Sequence, residues 1–129
     1  MLQAAIQLKA EDLVEDCRTL LGVASMAVEI GATDKAILIA DKVASASPAL
    51  REAHFAAVLF RLLNGQLEDA AHGAQAVRQR FPQWMTARIL HALTDKTMGG
   101  SEWSDELEAV IDEAEDEADI EFARALLDL

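Results

Sequence analysis

The sequence predicts an all-α protein built from helical hairpins, and three observations carry that prediction. Gly31, Gly65 and Gly99 lie 34 residues apart, and so do Pro48 and Pro82. Between these marks, small residues recur at the same offset: Ala36 with Ala70, Ala40 with Ala74, Val43 with Val77. The composition agrees. Alanine occurs 25 times, apolar residues make up 52%, and Asn64 is the only asparagine in 129 residues, so helix formers dominate and strand-punctuating turn residues are few.

A 34-residue period is the mark of tetratricopeptide-like repeats, with two antiparallel helices in each unit. About three repeats are expected, over residues 17–50, 51–84 and 85–115, with a capping helix over 116–129, all in one domain spanning 1–129. In each repeat the glycine follows the first helix ("GATDKA", "GQLEDA", "GGSEWSDE"), where a residue without Cβ reaches the left-handed backbone conformation freely. Each proline ends a second helix and turns the chain into the next unit. Small residues let the paired helices approach closely, and Ala24, Val58 and Ala92 share one such position in the first helices.

Helices are expected over about residues 11–30, with a forward extension through Leu2 to Leu8, then 33–45, 49–63, 68–80 and 83–97. Thr33 is placed to cap the second of these. Ser101 or Ser104 caps a helix to about residue 114, whose Leu107, Val110, Ile111 and Ala114 form one apolar stripe. Asp116 caps the last helix, with Ala118, Phe122, Leu126 and Leu129 as its inner stripe. An insertion near Ser101 to Trp103 and the missing third proline mark the last repeat as terminal.

The net charge of −12 is uneven: residues 1–100 carry ten basic and eleven acidic groups, residues 101–129 one basic group (Arg124) and twelve acidic ones. Such a surface repels nucleic-acid backbones and anionic membranes and attracts basic partners. The lone Cys17 reads as a reduced, buried thiol. No charged start precedes an apolar run, and the longest uncharged stretch, residues 19–28, is too short for a bilayer. The expected location is the cytoplasm.

No catalytic constellation emerges, so the chain is not expected to be an enzyme. His54, His72 and His91 fall on three helices without ligand spacing, and His72 with Glu68 or Asp69 reads as a surface contact. Cys17 lacks the basic neighbours that would activate it. The run "EAEDEADIE" has no turn glycine to converge its carboxylates on a cation and reads as a solvated face. Gly99-Gly100 is a helix stop rather than a phosphate loop, and Trp84 and Trp103 read as packing. No metal and no cofactor are expected.

In a repeat of this kind the first helices line a concave face. By offset, that face takes Leu21 and Val28 from the first repeat, Phe55, Leu59 and Leu62 from the second, and Ile89 and Leu93 from the third. An apolar groove of this sort suits an amphipathic helix of a partner protein. The alternative is that these side chains meet one another as core.

The three-unit organisation, the central stretch "FRLLNGQLEDAAHGAQAV" and the closing stretch "GGSEWSDELEAVIDEAEDEADIEFARALL" resemble the small tetratricopeptide chaperones of bacterial type III secretion systems, the YscG-like needle-subunit co-chaperones and their Hrp relatives. The resemblance covers about residues 12–127. It departs from the general repeat pattern where His54 and Arg88 replace a larger aromatic, and where Ala27, Arg61 and Asp95 replace tyrosine. It implies a bacterial cytoplasmic chaperone for protein transport in virulence. Such a chaperone pairs with a small helical co-chaperone and holds a secretion subunit in the groove; the apolar groove is itself expected to allow self-association when unoccupied. The other reading is an adaptor or regulatory scaffold with no secretion role.

Overall fold

The structure is a computed structural model that describes residues 10–128, with side chains described from Asp16 onward. The described residues form seven α-helices and no strand: α1 (Ala10–Glu29), α2 (Thr33–Ala46), α3 (Arg51–Leu63), α4 (Leu67–Arg80), α5 (Met85–Thr97), α6 (Trp103–Glu113) and α7 (Glu117–Asp128). The expected extension through Leu2 to Leu8, and Leu129, lie outside the described residues. Contacts group the chain into two compact units, Met1–Asn64 and Gly65–Leu129, the division falling at the turn inside the second expected repeat.

The glycines and prolines act as their spacing predicts. Gly31, Gly65 and Gly99 have φ of 86°, 78° and 82°, and among the described residues no side-chain-bearing residue has a positive φ. At Gly31 the Ala32 N–H donates to Ala27 O (2.8 Å) and the Gly31 N–H to Val28 O (3.0 Å). At Gly99 the Gly100 N–H donates to Asp95 O (2.8 Å) and the Gly99 N–H to Lys96 O (3.1 Å). This double closure satisfies carbonyls that the helix end leaves open. Pro48 and Pro82 each occupy the second position of a turn, closed by Leu50 N–H to Ser47 O (2.9 Å) and by Trp84 N–H to Phe81 O (3.0 Å), again 34 residues apart.

In the N-terminal unit α1 packs on α2 and α3, and α2 on α3. Ala24, Ala36, Ile37, Ala40, Ala56, Ala57 and Phe60 form one buried cluster; Cys17, Val43, Leu50 and Ala53 form another. Cys17 is thus a buried free thiol, as its apolar setting predicts. In the C-terminal unit α4 packs on α5, α5 on α6, and α7 on both α5 and α6. Its cluster holds Ile89, Ala92, Leu107, Val110, Ala123 and Leu126. The repeated small positions are buried alike, Ala36, Ala40 and Val43 in α2 and Ala70, Ala74 and Val77 in α4.

Three local expectations are corrected. Thr33 caps nothing: Ala32 is the N-cap residue and no side chain bonds there. The loop is so short that Ala32 both closes α1 and opens α2, which pushes Thr33 into the first turn. Ser101 and Ser104 do not cap α6 either, because Glu102 is its N-cap. The Glu102 N–H instead finds Asp95 Oδ2 (3.1 Å), a carboxylate reaching across from α5. That carboxylate lies where a Cβ on Gly100 would sit, so Gly100 makes room for it. Asp116 does cap α7, its Oδ1 accepting the Ala118 N–H at 3.0 Å. The inner stripe of α7, however, is Ala123 and Leu126 with half-buried Leu127, while Ala118 and Phe122 face solvent. Both stripes share Leu126; the fully buried contact falls on small Ala123, which lets α7 approach its neighbours closely.

Candidate partner-binding surfaces

The seven expected groove residues fall into three groups. Leu21 and Val28 are half-buried against the Ala24, Ile37 and Phe60 cluster, where they hold α1 onto its neighbours. Phe55, Leu59 and Leu62 are half-buried and share one face of α3 by their i, i+4, i+7 spacing. The opposite face of the same helix carries Ala53, Ala56, Ala57 and Phe60, all buried in the core of the unit. In the C-terminal unit Ile89 is 0% exposed and Leu93 packs beside it, both against α6 and α7.

Ile89 is therefore corrected from a groove residue to a core residue. Helix α7 lies on the face of α5 that the offset rule assigned to a partner. Lys96 Nζ donates to the Leu126 carbonyl near the end of α7 (2.8 Å) while lying 4.3 Å from the centre of the Trp103 ring. A cation at that position also complements the negative end of the helix. Trp103 thus packs between helices, and Trp84 meets Phe81 edge-on at 5.9 Å between ring centres. The signal available in the sequence was the capping helix itself: its apolar side needs a surface, and α5 provides one.

The positions that depart from the usual repeat pattern make local polar contacts. Arg61 forms a two-pronged pair with Asp41 of α2, Nη1 to Oδ1 at 2.9 Å and Nη2 to Oδ2 at 2.6 Å. The geometry ties the second helix of one repeat to the first helix of the next. His54 Nε2 is 2.8 Å from the Pro48 carbonyl. Arg88 lies between Glu106, at 3.5 Å from its Nε, and Glu113. Arg78 reaches Glu106 Oε1 at 2.9 Å and also contacts His91 Nδ1 at 3.2 Å. Burial pulls the Arg88 pKa down, but the Glu113 hydrogen bond and the charges of Glu106 and Glu113 outweigh it, so the value lies above that of ordinary arginine. The guanidinium is charged at every physiological pH.

Glu106 is the hinge of this network, since two arginines share its carboxylate. Glu106→Gln is expected to destabilise the C-terminal unit by about 2 kcal/mol, because it leaves two part-buried cations under-compensated. Urea denaturation followed by circular dichroism reads this, with the exposed Glu108→Gln as a control that leaves the midpoint unchanged. An unchanged midpoint for Glu106→Gln would show that solvent, not the carboxylate, carries those charges.

The network borders a partly open pocket of about 40 Å³ lined by Arg78, His91, Ala92, Asp95, Glu102, Trp103 and Glu106. That is the space of a water molecule, far below the several hundred Å³ that hold a metabolite. Among the described residues no group of three or more His, Cys, Asp or Glu side chains is placed to hold a metal ion, and no helix is long and apolar enough to cross a membrane. The exposed large apolar side chains lie elsewhere: Leu20, Val23 and Met26 on α1, Ile30 in the turn after it, Leu38 on α2, then Leu63, Met98 and Phe122. No known protein family matches the chain, and no curated protein matches it in sequence.

Proposed function

We propose that the chain is a protein-binding helical-repeat module that serves as a chaperone of the type III secretion kind in the bacterial cytoplasm. It holds an amphipathic helix of a needle or other secretion subunit and works with a small helical co-chaperone. The observation that supports this reading is the two-sided character of α3. One face, Ala53, Ala56, Ala57 and Phe60, is spent on the core of its own unit, yet Phe55, Leu59 and Leu62 form a second apolar row on the other face. A helix needs one apolar stripe to fold into its unit. A second stripe suits a partner helix with anchors spaced i, i+3/i+4, i+7.

Co-purification from the native cell with mass identification of the bound proteins tests the reading. The wild-type chain is expected to bring down a small helical secretion subunit. Leu59→Asp is expected to reduce that capture at least about tenfold, the effect of one lost buried side chain plus an unpaired charge, while keeping the helical spectrum. Capture that survives Leu59→Asp places the binding face elsewhere. Partners without any secretion role make the chain an adaptor or regulatory scaffold instead.

A further inference from the structure

The 34-residue register turns an exposed patch into a readable surface. Helix α3 packs on the hairpin before it through Ala53, Ala56, Ala57 and Phe60, which meet Cys17, Ala24, Ala36, Ile37, Ala40 and Val43. Thirty-four residues earlier, the same positions on α1 are Thr19, Gly22, Val23 and Met26. On α3 this face is at most 8% exposed; on α1 Val23 is 48% and Met26 65% exposed, and Ile30, one turn further, is 83% exposed. The same face of the same repeat helix is thus a packed seam in one copy and open in the other.

Gly22 supports this reading independently. It sits in the middle of a 20-residue helix, where glycine is less favourable than any residue but proline. A Cβ added there meets nothing within 4 Å. Nothing in the described molecule requires the glycine, whereas close approach of another backbone to α1 does.

We infer that the open face of α1, centred on Gly22, Val23 and Met26 and continued by Ile30 in the following turn, is a docking seam for a cationic amphipathic helix of a different protein, which packs on α1 as α2 packs on α3. The molecule itself supplies the template: α2 covers the equivalent face of α3 with Ala36, Ile37, Ala40 and Val43. Charge selects the occupant. Asp16 and Glu29 flank the patch and are exposed, while the basic Arg18 lies 4.0 Å from Glu52. The same face of a second copy would set Asp16 and Glu29 against Asp16 and Glu29, whereas a helix flanked by lysine or arginine gains from this acidic rim. The seam is separate from the α3 row, so it stands or falls independently of the proposed chaperone function.

The test uses the full chain and a labelled synthetic peptide of α2, residues 33–46, with lysine in place of Asp34 and Asp41. Fluorescence anisotropy is expected to show saturable binding. Binding should weaken at least about tenfold with Met26→Lys, or with a peptide carrying glutamate at positions 34, 35, 41 and 42, roughly the effect of losing one buried anchor or reversing the charge match. Leu59→Asp on α3 and Phe122→Lys on α7 should leave it unchanged. Gly22→Ala should raise the melting temperature of the free chain yet weaken peptide binding, a pair of opposite effects that a purely structural glycine cannot give. Equal binding by wild type and Met26→Lys overturns the inference. So does a dimer, seen by light scattering, that Met26→Lys converts to monomer, since a second copy would then be the occupant. Peptide affinity that rises about tenfold on deletion of residues 1–9 also overturns it, because the chain would then be covering its own seam.

Discussion

Ile89→Ala is expected to destabilise the C-terminal unit by about 3 kcal/mol, the middle of the range for truncating a fully buried aliphatic side chain. Ile89 is 0% exposed and touches a cluster made of α5, α6 and α7. Truncation removes apolar area from burial and leaves a cavity among Ala92, Leu107, Val110, Ala123 and Leu126, whose backbones are fixed by three helices and cannot close in. Urea denaturation at constant slope measures the loss. The same substitution distinguishes core from groove. A residue facing an empty groove would lose less than about 1 kcal/mol on truncation, since its methyl groups were still partly in water. A small effect at Ile89 would return it to the binding surface and remove α7 from the face of α5.

Ala40→Leu is expected to cost about 2–3 kcal/mol by overpacking, and Ala74→Leu a similar amount. Both alanines are 0% exposed and occupy the same position of successive repeats. Ala40 lies among Ala24, Ala36, Ile37, Ala56, Ala57 and Phe60, where the closeness of helix axes depends on side chains of one carbon. Three added carbons must displace a helix or adopt a strained rotamer. Ala76→Leu, on the exposed side of α4, should stay within about 0.5 kcal/mol of wild type. A cost at Ala40 without one at Ala74 would contradict the shared register.

The repeat was legible because its marks act through the backbone. Gly31, Gly65 and Gly99 each take a positive φ that other residues avoid, and Pro48 and Pro82 each fix the second position of a turn, so sequence spacing translates directly into helix ends. The buried small positions were legible for a related reason: alanine at a repeated offset has no side chain to serve another purpose. Caps were less legible. Thr33 and Ser104 have capping side chains, but the helix start was decided by the double closure at Gly31 in one case and by the Asp95 carboxylate reaching Glu102 in the other. Both depend on loop length and on residues several positions away. The face of α7 was ambiguous because Leu126 belongs to two stripes, and only packing decides between Phe122 and Ala123.

The binding surface was the least legible part. The offset rule located one face of each first helix, and on α3 that face carries the apolar row of Phe55, Leu59 and Leu62. It could not see that α7 folds onto α5 over Ile89 and Leu93, nor that Val23 and Met26 on α1 are exposed where the corresponding side of α3 is covered by α2. Both depend on which helices exist before and after a repeat, information that a single repeat does not contain.

Backbone NMR assignment of the full chain reads the helical-hairpin register of 34 residues segment by segment. Helical Cα shifts are expected in seven segments from residue 10 to residue 128, interrupted at Gly31, Gly65 and Gly99 with positive-φ couplings, at the Pro48 and Pro82 turns, and at residues 114–116. Helical shifts running unbroken through Gly31 or Gly65, or extended-strand shifts within the segments, would contradict it.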